Sequence, residues 1–210
     1  MAARVVCISQ VLGGRGDEIG PLVAERLGFS YVNDEIIVWA AAKGGVSPAD
    51  VANAEQRQSA LTRVLAEIGR SAVPETLALS GFTRLEEDAD ETTDDLRGLI
   101  QSVVAETAAR GDVVIGAHGA SFALAGEPGV LRIHLVASQE TRLQRVTESS
   151  EGDAKGAEKA LKESDRARAD YLHRFYGVKT EQPTHYDLVL NTDALDPERA
   201  AEVIVAAAAP

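Results

Sequence analysis

The chain has 210 residues, of which 45% are apolar and 26% charged, with 7 prolines; this balance excludes wholesale disorder and suits one domain with a full core. Its 33 acids against 21 bases give a formal charge of −12, which disfavours the broad basic face that nucleic acid demands. No uncharged stretch approaches the roughly 20 apolar residues of a membrane span. The single cysteine, Cys7, excludes an internal disulfide, and a start without a signal-peptide pattern leads us to expect a cytoplasmic protein.

The apolar run Arg4-Val5-Val6-Cys7-Ile8 predicts a buried strand, followed from Ser9 to Gly16 by a loop with three glycines. From Asp17 to Leu27, residues Ile19, Leu22, Val23 and Leu27 repeat at helical spacing, and Gly28 stands where a helix-ending glycine belongs. Phe29 to Val32 predicts a second strand, so this stretch is a βαβ unit with parallel strands. Residues 34–80 read as helical, with Ser47 and Asp50 spaced like a helix cap. Phe82 to Asp95 is acid-rich and is expected to be a loop or mobile surface segment, ahead of a helix from about Asp94 to Arg110. Strands are expected at Val113–Ile115, Leu131–Val136 and Tyr186–Leu190, and an alanine-rich helix from near Pro197. The expected architecture is α/β: a parallel five-stranded sheet with helices on both faces, in a single domain over residues 1–210.

Charge is distributed unevenly. Between Arg142 and Lys179 nine bases outnumber seven acids. A local cationic cluster in an acidic protein suits a small polyanion such as a nucleotide; a solvated helix of alternating charges gives the same composition.

The junction Gly13-Gly14-Arg15-Gly16-Asp17-Glu18 joins a strand to a helix, where backbone N–H groups and the helix dipole attract phosphate. One reading is a dinucleotide fingerprint, with Asp34 twenty residues after Gly14, but Ile19 stands where the third glycine or alanine belongs. The other is a phosphate-binding P-loop, whose strict G-x-x-x-x-G-K-[S/T] form is absent.

Several segments, in order, resemble the cytidylate kinase-like family. They are Ile8-Ser9-Gln10 with Gly13 to Gly20 and Leu22 to Gly28, Tyr31 to Ile37, Val114 to Ala120, Asp165 to Tyr171 and Tyr186 to Thr192. The resemblance covers nearly the whole chain. It implies a three-layer P-loop nucleoside monophosphate kinase fold, with a helical acceptor-binding insertion over 34–80 and a short lid over 147–157. It further implies ATP and Mg²⁺ as cofactors and nucleotides as partners, with no nucleic acid and no membrane; the oligomeric state stays open, a homodimer included.

The same resemblance assigns the site. Gly13, Gly14, Arg15, Gly16, Asp17 and Glu18 would hold the donor phosphates, with Arg15 and Arg145 as the catalytic cations, while Asp34, His118, Asp165 and Arg168 would hold the acceptor. Two departures stand out. Asp17 occupies the place where the family usually carries an arginine, putting a carboxylate beside a triphosphate. His118 replaces an arginine that would clamp the monophosphate, or else caps the following helix. Asp165 and Arg168, three residues apart on one helix, form either an acceptor pair or an exposed ion pair. Asp187 is expected to shape a strand edge, and Trp39 and Tyr171 to Tyr176 to pack. No protein metal-ligand cluster is expected. These departures leave two functional classes: a CMP or dCMP kinase-like phosphotransferase with a degenerate loop, or a catalytically inactive kinase-fold protein serving as nucleotide sensor or interaction module. An NAD-binding protein is the third, disfavoured by Ile19.

Overall fold

The computed structural model describes residues 2–56, 82–116, 118–150 and 153–210, with the backbone alone for 53–56 and 82–94. In chain order the elements are β1 (Val5–Gln10), α1 (Gly16–Leu27), β2 (Ser30–Val32), α2 (Glu35–Gly44), α3 (Pro48–Gln56), α4 (Phe82–Arg110), β3 (Val113–Gly116), α5 (Ala120–Ala123), β4 (Val130–Val136), α6 (Gln139–Ser149) and α7 (Ala154–Tyr176). A 3₁₀ turn (Pro183–His185), β5 (Leu188–Asn191) and α8 (Pro197–Ala208) complete the chain.

All five strands are parallel, in the order β2-β3-β1-β4-β5. The alternation of side chains along β1 builds the two cores. Val6 and Ile8 pack with Ile19, Val23, Ile133, Leu135 and Ile204 under α1 and α8. Val5 and Cys7 pack with Ile36, Ala40, Ile100, Val104 and Ile115 under α2 and α4. Burial pushes the Cys7 thiol up to about 12, so it stays protonated as a small apolar group.

β1 pairs with β3 only through Ile8 but with β4 through Gln10, so its last residues lie against β4 alone. From β1 the chain leaves through α1 toward β2, and from β4 it leaves through α6 and α7 toward β5. Ligand crevices of α/β sheets open at such a point, beyond the carboxyl ends of strands whose connections diverge. The order also separates this fold from the 3-2-1-4-5-6 dinucleotide sheet, because β3 lies between β1 and β2. Ile19, at the missing third glycine, is fully buried in the core.

Two sequence expectations need correction. Phe82 to Asp95 is not a loop; the helix ending at Arg110 begins at Phe82. No glycine or proline interrupts 82–97, and Ala, Leu, Glu and Arg favour helix, so a run of acids here is compatible with a continuous helix. Trp39 is not fully packed: it is 39% exposed and borders a shallow outer groove with Lys43 and Glu106. Elsewhere local chemistry acts as read. The Ser47 hydroxyl accepts from the Asp50 N–H at 3.2 Å before α3. Asp187 fastens β5's approach by accepting from the Arg132 N–H (2.8 Å) and guanidinium (2.7 Å). Of the 34–80 segment, α2 and α3 are described and 57–80 lie outside the described residues; so do 151 and 152 of the 147–157 stretch, which otherwise spans the α6–α7 junction. Among the described residues no helix is long and apolar enough to cross a membrane.

Candidate active site

Beyond Gln10 the chain turns tightly, the Gly14 N–H donating to the Val11 carbonyl at 2.8 Å. Gly13 has φ +81 and Arg15, the N-cap of α1, has φ +66 and ψ +24. A non-glycine residue in the left-handed region costs about 1–2 kcal/mol. Here that conformation aims the Arg15 carbonyl down the helix, where it accepts from Glu18 (3.2 Å) and Ile19 (3.0 Å). Among the described residues the N–H groups of Gly13, Arg15 and Asp17 meet no acceptor, whereas the Gly16 N–H donates to Gln10 Oε1 at 2.5 Å. Left-handed turns with clustered N–H groups at a helix start form an anion-binding concavity.

This concavity opens on a cleft of about 710 Å³ between α1 and α6, bordered by Gly13, Arg15, Asp17, Glu18, Gln144 and Arg145. Arg15 turns along its rim and forks onto Glu18, with Nε–Oε1 at 2.8 Å and Nη2–Oε2 at 2.9 Å. The hydrogen bond and charge of Arg15 hold the Glu18 carboxyl below the usual range. Asp17 accepts from Gln10 Nε2 at 3.1 Å.

Three arginines hold the other side of the loop. Arg142 Nε donates to the Leu12 carbonyl at 2.7 Å, Arg145 Nη1 to the Gly13 carbonyl at 2.8 Å, and Arg168 Nη1 to the Gln10 carbonyl at 3.3 Å. Arg142 and Arg145, three residues apart on α6, share the face toward the loop. In a trans peptide the N–H points opposite to the carbonyl of the same unit, so seating Leu12 O on Arg142 turns the Gly13 N–H away from that arginine. Arg145 also donates to Thr192 Oγ1 (3.0 Å) and Thr192 O (2.7 Å). Among the described residues its contacts are neutral oxygens, so its charge reaches the cleft without a carboxylate in contact.

The acceptor-side residues assemble differently from the expectation. Asp165 does not stand free beside Arg168; it takes a two-pronged bond from Arg142 (2.6 and 3.1 Å). Arg168 turns to Glu181 (2.5 and 2.8 Å) and to the Tyr186 hydroxyl (3.1 Å), and that hydroxyl donates to Glu181. His134 stacks on the Tyr186 ring, centroids 4.6 Å apart. Burial lowers the pKa of His134 against the pull of Glu181, so the ring is neutral at neutral pH. His118 does not cap α5, whose N-cap is Gly119. Its buried ring, on a residue with φ +53, meets the Asn33 carbonyl at 2.8 Å through Nε2. A carbonyl accepts only, so Nε2 carries the proton and that donor is spent on β2's end. Asp34 lies exposed at the start of α2 with no side-chain bond to the helix.

Gln10, Glu181, Tyr186, His134 and Thr192 thus join the residues named from sequence. A polar glutamine closing an apolar strand just before the glycines was a usable signal for Gln10; Glu181 lies 13 residues past Arg168, outside any helix spacing. Burial raises the Glu181 carboxyl, but hydrogen bonds and charge from Arg168 and the Tyr186 hydroxyl outweigh it and leave the pKa low. Asp187 is held low by Arg132. A carboxyl whose folded pKa is depressed contributes stability above its unfolded value, about 4.3 for Glu, and loses it as pH falls through the folded one. Tm measured from about pH 6 down to about pH 3 should therefore fall. The fall should be smaller for Glu181→Gln, which starts less stable.

A parallel sheet of this order, with a strand, glycine loop and helix at its centre, defines a P-loop kinase fold. Solved structures of similar shape include an uncharacterized protein from Eubacterium ventriosum ATCC 27560 (14% identity, 97% of each chain covered, TM-score 0.65). Others are shikimate kinase from Acinetobacter baumannii in complex with shikimate (12% identity, 97% of this chain and 91% of that one, TM-score 0.51) and a sugar kinase from Janibacter sp. HTCC2649 (18% identity, 99% of each, TM-score 0.52). At these identities the likeness is one of fold. The cytidylate kinase-like family model matches residues 5–194, and the chain belongs to that family. Cytidylate kinase from Pyrobaculum neutrophilum is 37% identical over 109 residues, covering 50% of this chain and 56% of that protein. Cytidylate kinase from Methanopyrus kandleri is 29% identical over 113 residues, covering 50% and 58%. The matched stretch therefore spans little more than half the length of these curated relatives.

Proposed function

We propose that the chain binds a nucleotide at the β1–α1 loop and transfers the γ-phosphoryl group of ATP to a nucleoside monophosphate, CMP or dCMP. The observation that carries this reading is the orientation of the loop: its carbonyls are held by Arg142, Arg145 and Arg168 while N–H groups of Gly13, Arg15 and Asp17 lack acceptors among the described residues, beside an open cleft. Phosphoryl transfer asks the protein for positioning and positive charge, and that arrangement supplies both.

In this reading the amides of Gly13 to Asp17 seat the donor phosphates. Arg15 leaves Glu18 to meet them, and Arg145 adds its charge from the α6 side. Asp17 and Glu18, both at the cleft, are the residues that would hold Mg²⁺, which when bound would supply positive charge to offset two carboxylates near a polyphosphate. Arg168, with Asp34 just past the end of β2, serves the acceptor, whereas Asp165 acts through Arg142 as a positioning residue and His118 fastens the Asn33 carbonyl. The α6–α7 junction would close over the cleft as the lid.

A second reading has its own observation. Gln10 is bonded to Gly16, Arg15 to Glu18, Arg142 to Asp165 and Arg168 to Glu181, so the Gly16 N–H and the three arginines other than Arg145 already hold partners within the protein, as in a kinase-fold nucleotide sensor without turnover. A coupled assay of ADP release from Mg²⁺-ATP, run with each common nucleoside monophosphate, decides between them. Release that depends on CMP or dCMP supports transfer. ADP binding without release in any combination supports the sensor.

A further inference from the structure

We infer that Gln10 is a self-seated gate of the donor loop: its side-chain amide holds the Gly16 N–H in place of a phosphate oxygen and must swing away before the seat fills. The inference rests on the loop being a phosphate seat. Both ends of the amide are engaged, Oε1 accepting from the Gly16 N–H at 2.5 Å and Nε2 donating to Asp17 Oδ1 at 3.1 Å. With an N–H on one side and a carboxylate on the other, only this orientation of the amide fits. A Cβ on Gly16 would lie 2.6 Å from Gln10 Cδ and Oε1, so the side chain lies directly against the glycine that opens α1.

The movable part is the side chain alone. Gln10's backbone is fixed by its pairing with Leu135 on β4 and by Arg168 on its carbonyl. A neutral amide oxygen at a helix start is a weaker ligand than a phosphate oxygen, whose hydrogen bonds are charge-assisted and favoured by the helix dipole. A polyphosphate can therefore displace the amide, and its departure also frees Asp17 from Nε2. The chain must give up this occupant for every ligand it admits, and the apparent affinity falls by the fraction of molecules with the seat open.

Isothermal titration of the full chain with tripolyphosphate and with ADP tests this. Gln10→Ala should bind both about tenfold tighter than the wild type, while its ligand-free Tm falls because a cap-like bond is lost. Gln10→Glu, a carboxylate on the same N–H, should bind both more weakly than the wild type. Equal or weaker binding by Gln10→Ala would overturn the gate and leave Gln10 a plain structural cap. If neither chain binds either ligand, the phosphate seat itself is wrong and the gate falls with it; equal binding by both refutes only the gate. On the unmodified chain, tripolyphosphate should shift the NMR signals of the Gln10 side-chain amide together with the Gly16 N–H. A shift at Gly16 with Gln10 unmoved contradicts the proposal.

Discussion

Arg142→Met should lower stability by about 2–3 kcal/mol and sharply weaken ADP binding. Arg142 is only 8% exposed; it donates to Leu12 O and forks onto Asp165, tying the glycine loop, α6 and α7 together. Methionine keeps the stem but removes every donor. The Leu12 carbonyl then loses its partner, while Asp165, half exposed, returns to water, which keeps the cost below that of a fully buried broken pair. For a domain of this size the loss corresponds to a Tm lower by roughly 4–12 °C. Lysine should recover little, because one ammonium cannot reproduce the fork and the separate bond to Leu12. Urea unfolding with and without ADP checks both effects. A double-mutant cycle with Asp165→Ala isolates the pair from the loop contact.

Gly13→Val should destabilise by about 2 kcal/mol or more and remove ADP binding at accessible concentrations. Gly13 sits at φ +81, and a Cβ there would lie 3.1 Å from the Arg142 Cα. The obstacle is backbone of α6 and cannot swing aside, so the loop itself must move, taking its amides from the cleft. Gly28→Ala is the contrast. It shares the left-handed φ, at +69, but a Cβ there meets nothing within 4 Å among the described residues. It should cost about 1 kcal/mol through backbone alone and leave ADP affinity unchanged. Paired urea melts and titrations of the two variants separate the conformational penalty from displacement of the loop.

The sequence carried the central βαβ unit clearly, because an apolar strand, three glycines and an amphipathic helix each obey a local rule. Ser47's cap and Asp187's strand-edge role were legible for the same reason. The acceptor side was not. Asp165 and Arg168 have the spacing of a helical pair, yet each finds its partner on another segment: Arg142, 23 residues away, and Glu181, 13 residues away. Arg145 reaches Gly13 across 132 residues. Such pairings follow from the strand order and the crossing of α6 and α7 over the sheet, which no local periodicity encodes. His118 shows the same limit, since its proton is committed to the Asn33 carbonyl just past β2. The acidic stretch from Phe82 misled in the opposite direction, because charge marks solvation and does not by itself break a helix.

The assignment of the β1–α1 loop as a phosphate seat is tested most directly by a crystal structure of the full chain with ADP and Mg²⁺. Phosphate oxygens should lie at hydrogen-bond distance from the N–H groups of Gly13, Arg15 and Asp17, with Arg145 still on the Gly13 carbonyl and Gln10 swung off Gly16. A nucleotide bound elsewhere, with the Gln10 amide still on Gly16 and no phosphate at these amides, would contradict it.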